Sequence, residues 1–389
     1  MLSPLKKFLH TPQGIGLLLF FILCIALGIA NSPLYPAYQS FITLPLQLGV
    51  GSFSLQKPAV TWINDGLMSL FFLGLALEIK QEILIGELAS FKKAALPVIG
   101  ASGGVVLPAL IFLICNHTQP HAYIGWPVPT ATDVALALAA ASALGKRVPT
   151  ALKTFLLALA IVDDVVAILI IALIYTQQLS LLSIALALLG VVFLLLLNLL
   201  RVRRLAPYLG IGFYIWLCVL QSGVHATLAG VLVGFTIPFV KQDRAASPLI
   251  SLNHTLHRWI NFLILPLFIF FNGGLHFVSF TLSTLFSRVS VGTFLGLWLG
   301  KTLGIFTAAM LAIHLKLAHK PYGATWQQLL GISALGGIGF TMSLFLASLA
   351  FHLTDYEALA RQGILMGSLL SLLTGWAIFA FSKKPLKTA

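Results

Sequence analysis

Two carboxylates, Asp163 and Asp164, stand side by side within an apolar stretch over 155–171. At the centre of a membrane-crossing helix, each such charge costs about 2.5–3.5 kcal/mol to insert. Packing does not account for that cost in adjacent positions. An ionisable residue at this depth reads as part of a cation or proton path. Two further charges lie near the middle of apolar runs, Asp133 within 121–143 and Lys301 within 290–313. Their equal depth points to one site. Neighbours on a helix diverge by about 100°, so Asp163 and Asp164 cannot share surroundings. One can pair with Lys301 while the other faces a wet cavity. In a low dielectric a carboxyl holds its proton more tightly and an ammonium less tightly, so such groups can trade protons near neutral pH. A static Asp163–Lys301 pair that only ties helices together would leave Asp164 and Asp133 unexplained.

The elements that must carry these residues follow from composition. Of 389 residues, 59% are hydrophobic and 8% charged, far from the balance of a soluble domain. Runs of about 20 apolar residues, the length that crosses a bilayer core, recur at 12–30, 60–79, 95–115, 121–143, 151–175, 181–200, 206–221, 223–240, 260–281, 290–313, 328–351 and 358–381. They predict an all-α membrane protein of about twelve transmembrane helices, forming a single transmembrane domain over 1–389. The first run follows Lys6-Lys7 and ends in Gly28-Ile29-Ala30, in the manner of a signal peptide with a small-residue cleavage site. It is long enough to span and is read as a retained first helix. Cys24, Cys115 and Cys218 fall in or at the ends of spans, so neither a disulfide framework nor a metal-ligand spacing is expected. No cofactor is expected either.

The net charge of +13 tests topology rather than pointing to nucleic acid. With both termini on the cytoplasmic side, nineteen of the 23 Lys and Arg residues fall inside. Lys57, Arg288 and Arg361 fall outside, and Lys301 lies within a span. That excess fixes the orientation and supports an even number of spans. The outer segment 31–59 is long. Within 43–56, Leu44, Leu46, Leu48 and Val50 alternate, as do Phe53 and Leu55, around Gly49 and Gly51. This is the pattern of a β-hairpin. A lone hairpin is marginal in water and gains from pairing with the hairpin of a second chain. An irregular loop is the alternative for this segment.

Two spans are interrupted. In 121–143 the run from Trp126 to Asp133 places Pro127, Pro129, Thr130 and Thr132 at mid-membrane, and each proline removes a backbone donor. In 328–351, Gly336, Gly337 and Gly339 lie at similar depth. Non-helical backbone there must line a cavity or be covered by protein. The fourth span is the middle of spans three to five, and the eleventh is the middle of spans ten to twelve.

The runs Pro129-Thr-Ala-Thr-Asp133, Ala160-Ile-Val-Asp163-Asp164, Ser222-Gly-Val-His225-Ala-Thr-Leu-Ala-Gly230, Ile264-Leu-Pro-Leu-Phe268 and Gly337-Ile-Gly-Phe-Thr-Met-Ser343, together with Lys301, resemble the NhaA family of bacterial sodium/proton antiporters. The likeness covers nearly the whole chain. Matched interrupted spans in two three-span units point to a transporter site, and this family is itself one of the cases behind that rule. The resemblance implies two inverted three-helix repeats with two broken, crossing helices. It implies Asp163 and Asp164 as the ion and proton site, binding the transported Na⁺. It also implies an electrogenic exchange of internal Na⁺ for external H⁺ by alternating access, with Li⁺ as a second substrate. Its setting is the bacterial inner membrane, and its role is sodium and pH homeostasis. A homodimer through the outer hairpin is expected. Broken helices leave positive N-terminal and negative C-terminal ends. Asp133 would balance the former and Lys301 the latter, with Thr132 in the same network. The resemblance places a pH-response cluster near the inner mouth. Glu78, Lys80 and Glu82 match it, and His254 and His257 follow. Gln81 stands where arginine is expected, and Asn253 where glutamate is expected. His225 is either a pH-sensitive contact or a packed, hydrogen-bonded histidine.

Other classes fit less of the chain. Gly100-Ala-Ser102-Gly103 matches the Gly-x-Ser-Gly of rhomboid intramembrane proteases, with His225 as an imagined base, but it leaves the mid-membrane acids idle. The Gly-x-Gly-Asp of intramembrane aspartyl proteases and a His-Glu-x-x-His are absent. A cation channel also uses acids and bent helices and is the closer alternative.

Overall fold

The computed structural model describes residues 8–50, 53–176, 179–241, 247–277, 281–352 and 354–382. Lys6, Lys7, Arg244, Lys383, Lys384 and Lys387 of the topology count lie outside the described residues.

Among the described residues, eight helices are long and apolar enough to cross a membrane: α1 (Pro12–Ala30), α3 (Ala59–Ile85), α4 (Phe91–Cys115), α6 (Thr150–Ile174), α7 (Leu181–Leu199), α10 (Pro248–Asn272), α11 (Arg288–His314) and α14 (Asp355–Phe381). Two bent pairs supply further spans. Pro120–Thr130 joins α5 (Val134–Ala143) at 44°, and α12 (Trp326–Leu335) joins α13 (Phe340–Ala350) at 45°. Two shorter apolar helices, α8 (Leu205–Leu220) and α9 (Thr227–Thr236), occupy the seventh and eighth expected runs.

One boundary moves. The ninth span starts at Pro248 and ends at Asn272 instead of running over 260–281. The first half of α10 is amphipathic. Leu249, Leu252 and Leu256 are buried, while His254, His257 and Arg258 are exposed, so an averaged hydropathy passes over it. Pro248 at the first helical position suits a helix start, because its missing N–H would be unpaired there anyway.

The outer segment contains a short helix, α2 (Tyr35–Ile42), and then the hairpin. Strands β1 (Pro45–Val50) and β2 (Phe53–Pro58) pair antiparallel, with Pro45 opposite Pro58 and Val50 opposite Phe53. Trp62 Nε1 donates to Leu46 O at 3.1 Å and ties the hairpin to the start of α3.

The chain divides into two compact units. One comprises residues up to Leu27, Glu87–Ala167 and Leu275 onward; the other comprises Gly28–Gly86 and Ile168–Gly274. In the first unit α4 and α11 touch backbone to backbone. A Cβ on Gly103 would lie 2.3 Å from Gly304 O, and one on Gly304 would lie 2.2 Å from Gly103 O. Among the described residues, three helices carry π-turns: α3 at Ile63–Leu67, α10 at Ile260–Ile264 and α11 at Gly296–Gly300. Such one-residue insertions concentrate at functional sites.

Candidate ion-binding site

The first interruption forms because Pro127 and Pro129 lack backbone donors. The chain before it is not α-helical but two short 3-10 stretches, Pro120–Gly125 and Val128–Thr130. The bend itself falls just past the prolines. Ala131 is extended (φ −85°, ψ 151°), and Asp133 (φ −84°, ψ 99°) caps α5, its Oδ1 accepting from Leu136 N at 3.0 Å. At the second interruption Gly336 and Gly339 have φ of −61° and −100°, open to any residue. Glycine is required there by proximity. A Cβ on Gly337 would sit 2.4 Å from Leu297 O, and one on Gly339 2.8 Å from Ala131 O.

The two interruptions cross and bond. Asp133 N donates to Ile338 O at 2.6 Å. Thr341 donates to Asp133 Oδ2 twice, from N at 3.0 Å and from Oγ1 at 2.5 Å. Asp133 thus accepts from the first turns of both α5 and α13, where unpaired N–H groups give each helix its positive end. The negative ends are divided. Lys301 Nζ donates to Thr130 O, while Thr132 Oγ1 lies 2.8 Å from Gly336 O. The division of labour differs from the expected one, in which Lys301 served both C-terminal ends.

Lys301 Nζ also lies 2.5 Å from Asp163 Oδ2, with both side chains fully buried. Thr132 Oγ1 lies 2.6 Å from that same oxygen. A hydroxyl carries one proton, so Thr132 serves Asp163 or Gly336 O, one at a time. Asp163 Oδ1 is buried and bonds to no described residue. Asp164 lies close enough for its charge to act on Lys301. Asp164 is 1% exposed.

Asp133, Thr132, Asp163, Asp164, Lys301, Pro127, Pro129, Gly336, Gly337 and Gly339 all belong to the first unit. Thr341 joins them and was not singled out from sequence. Its only signal was a hydroxyl two residues past Gly339 in the second interruption. Membrane helices carry many such threonines, most of them bonded to their own backbone.

The residues expected to respond to pH lie in the second unit. Glu78 and Glu82 are on α3 and His254 is exposed on α10. Lys80 Nζ donates to Phe235 O and Ile237 O, both at 2.7 Å, and covers the carbonyl end of α9. The two departures from the family pattern meet: Asn253 Nδ2 donates to Gln81 Oε1 at 3.2 Å. A neutral amide pair stands where opposite charges were expected. His225 Nδ1 lies 2.8 Å from Thr227 Oγ1, and its Nε2 lies 3.8 Å from Asp65 Oδ1. Asp65 Oδ2 in turn lies 2.6 Å from Lys57 Nζ on β2. His225 is both hydrogen-bonded and beside a charged group. Asp65, a carboxylate in the second run, was passed over in the sequence.

Apolar spans around two crossing interruptions, with a buried Lys–Asp pair between them, define a secondary ion transporter. The chain belongs to the Na⁺/H⁺ antiporter 1 family, whose profile matches residues 6–379. It is 46% identical over 388 residues to the Na⁺/H⁺ antiporter NhaA of Pseudomonas putida (strain GB-1), covering 99% of both chains. It is 47% identical over 374 residues to that of Shewanella frigidimarina (strain NCIMB 400), covering 96% of this chain and 95% of that one. To that of Glaesserella parasuis serovar 5 (strain SH0165) it is 42% identical over 389 residues, covering 99% and 98%. The solved sodium proton antiporter MjNhaP1 of Methanocaldococcus jannaschii, at pH 8, shares the fold with a TM-score of 0.52 at 15% identity, over 95% of this chain and 92% of that one. The protease readings fall away, and Ser102 Oγ simply donates to Val98 O of its own helix at 2.9 Å.

Proposed function

We propose that this protein is an electrogenic antiporter that exchanges internal Na⁺ for external H⁺ across a bacterial inner membrane, by alternating access at Asp163 and Asp164. The observation that carries this reading is the shared oxygen of Asp163, held at once by Lys301 and by Thr132. A bare Na⁺ prefers hard oxygen ligands, as other hard cations do. Carboxylates, a hydroxyl and a freed helix-end carbonyl supply them. When Asp163 is ionised, Thr132 donates to it and leaves Gly336 O open to a cation. When Asp163 carries the proton, it can donate to Thr132, and Thr132 then donates to Gly336 O. One proton thereby decides whether that carbonyl is available. Asp133 and Lys301 hold the helix ends in place. Li⁺, smaller and equally hard, is the second substrate. The termini lie on the cytoplasmic side. Purified protein in liposomes tests the reading: an antiporter couples Na⁺ gradients to H⁺ movement and saturates, whereas a channel passes either ion alone.

Competition for one site has a definite pH signature. Apparent Na⁺ affinity weakens as pH falls. Below the pH at which the site takes up its proton, it weakens about tenfold per unit for each competing proton. The rate at fixed Na⁺ falls at acid pH and recovers when Na⁺ is raised. Transport against Na⁺ concentration at several pH values, at constant driving force, is the measurement. A maximal rate that collapses at acid pH with unchanged affinity would instead place control in a separate switch around Glu78, Glu82, His225 or His254. The neutral Gln81–Asn253 contact weighs against a charge-driven switch at that point.

The hairpin is the proposed dimer contact. The edge of a β-hairpin can be continued by a strand of a second copy. Deleting 44–55 is expected to convert dimers to monomers in detergent while transport per chain persists, because the proposed ion site lies wholly within one chain. Light scattering and crosslinking measure this, and a deletion variant that stays fully dimeric removes the hairpin from the interface.

A further inference from the structure

Lys301 directly follows the π-turn of α11. Its own N–H donates five residues back, to Gly296 O, instead of four back to Leu297 O. In an α-helix Leu297 O would have had that N–H. One hydroxyl covers that carbonyl and a second bonds the next one. Ser371 Oγ on α14 donates to Leu297 O at 3.4 Å, and Thr302 Oγ1 donates to Trp298 O. Ser371 is fully buried and Thr302 is 6% exposed. The same turn touches both interruptions. A Cβ on Gly296 would lie 2.7 Å from Pro129 Cβ, and Gly337 faces Leu297 O. Removing the extra residue would rotate Lys301 by about 100° relative to the helix before it, off the line to Asp163 Oδ2 and Thr130 O.

We propose that Thr302 and Ser371 are positioning residues: Ser371 satisfies Leu297 O, the carbonyl that the π-turn frees, Thr302 adds a hydroxyl bond to Trp298 O within the same turn, and together they hold the turn open and so hold Lys301 on Asp163. The proposal deepens the antiporter reading and rests on it. Neither hydroxyl meets the transported ion. Both act on the exchange only through the placement of the ammonium.

The test compares Thr302→Val, which keeps the shape and removes the hydroxyl, with Thr302→Ser, Ser371→Ala and Lys301→Ala in proteoliposomes. The readout is the pH profile of Na⁺-driven proton flux. Thr302→Val and Ser371→Ala are expected to move the profile in the same direction as Lys301→Ala, and Thr302→Ser to restore it. In a Lys301→Ala background, neither substitution should move the profile further. A Thr302→Val protein with a wild-type profile, beside a Lys301→Ala protein with a shifted one, overturns the positioning role alone. The same shift in the presence and absence of Lys301 also overturns it, because the hydroxyl would then act elsewhere. A Lys301→Ala profile identical to wild type removes Lys301 from the exchange and overturns the proposal while leaving the antiporter reading standing; absence of Na⁺-driven proton flux in the wild-type protein overturns that reading itself. Should Thr302→Val fail to accumulate, Ser371→Ala carries the same comparison from the neighbouring helix.

Discussion

Asp164→Asn is expected to abolish Na⁺ binding and Na⁺-driven proton flux while leaving the protein folded. The amide keeps the volume and part of the hydrogen-bonding capacity of the carboxylate but cannot be ionised, so it offers a cation no charge and carries no proton. Insertion should not suffer, since a neutral side chain at mid-membrane costs less than a charged one. Asp164 is 1% exposed, so bulk solvent cannot substitute for the lost charge. Loss of one ligand charge from a site of hard oxygens should push the response to Na⁺ below detection in a proton-flux assay, with an unchanged melting temperature as the control. Normal exchange in this variant would sink the assignment of Asp164 to the site. A large loss of stability would show that its role is structural.

The candidate site was legible wherever its chemistry conflicts with the membrane. Asp133, Asp163, Asp164 and Lys301 stand out because each is costly at mid-bilayer, and the fold gathers them in one unit. The interruptions were legible from Pro127, Pro129 and the Gly336–Gly339 cluster because those residues disrupt or crowd a helix for identifiable reasons. What stayed hidden has no such conflict. A π-turn adds one residue without changing composition, so Gly296–Gly300 reads as ordinary small-residue packing and the aim of Lys301 cannot be read from its position. Thr341 and Ser371 resemble many membrane hydroxyls, and only the folded chain shows that one reaches Asp133 and the other Leu297 O. The start of α10 was missed because its stripe of Leu249, Leu252 and Leu256 is diluted by exposed polar neighbours. The meeting of Gln81 with Asn253 joins residues far apart in the chain, and neither residue alone announces a partner.

Lys301→Ala is expected to destabilise the protein by about 3–5 kcal/mol, the usual consequence of breaking a buried ion pair from one side. Two contacts and the nearby charge of Asp164 are involved. The ammonium pairs with Asp163 Oδ2 at 2.5 Å, donates to Thr130 O at the end of a 3-10 stretch, and acts on Asp164. Without it, Asp163 keeps only the Thr132 hydroxyl, which also serves Gly336 O. A carboxylate deprived of its counter-ion in such a place takes up a proton rather than remain charged. The destabilisation should therefore depend on pH with a definite sign. At low pH, where the proton is available, the variant should approach wild type. As pH rises the cost of keeping that proton, or of holding the bare charge, grows, and the difference in melting temperature should widen. Asp163→Asn placed on Lys301→Ala should recover part of the loss, because no unpaired charge then remains. If Lys301 only neutralises Asp163 and the helix end, protons moved per Na⁺ should stay constant in whatever protein folds. If the ammonium itself delivers a proton, that count should fall. Melting temperature across pH, together with the proton count per Na⁺, separates the two roles. An unchanged melting temperature at high pH would rule out the ion pair as a support of the fold.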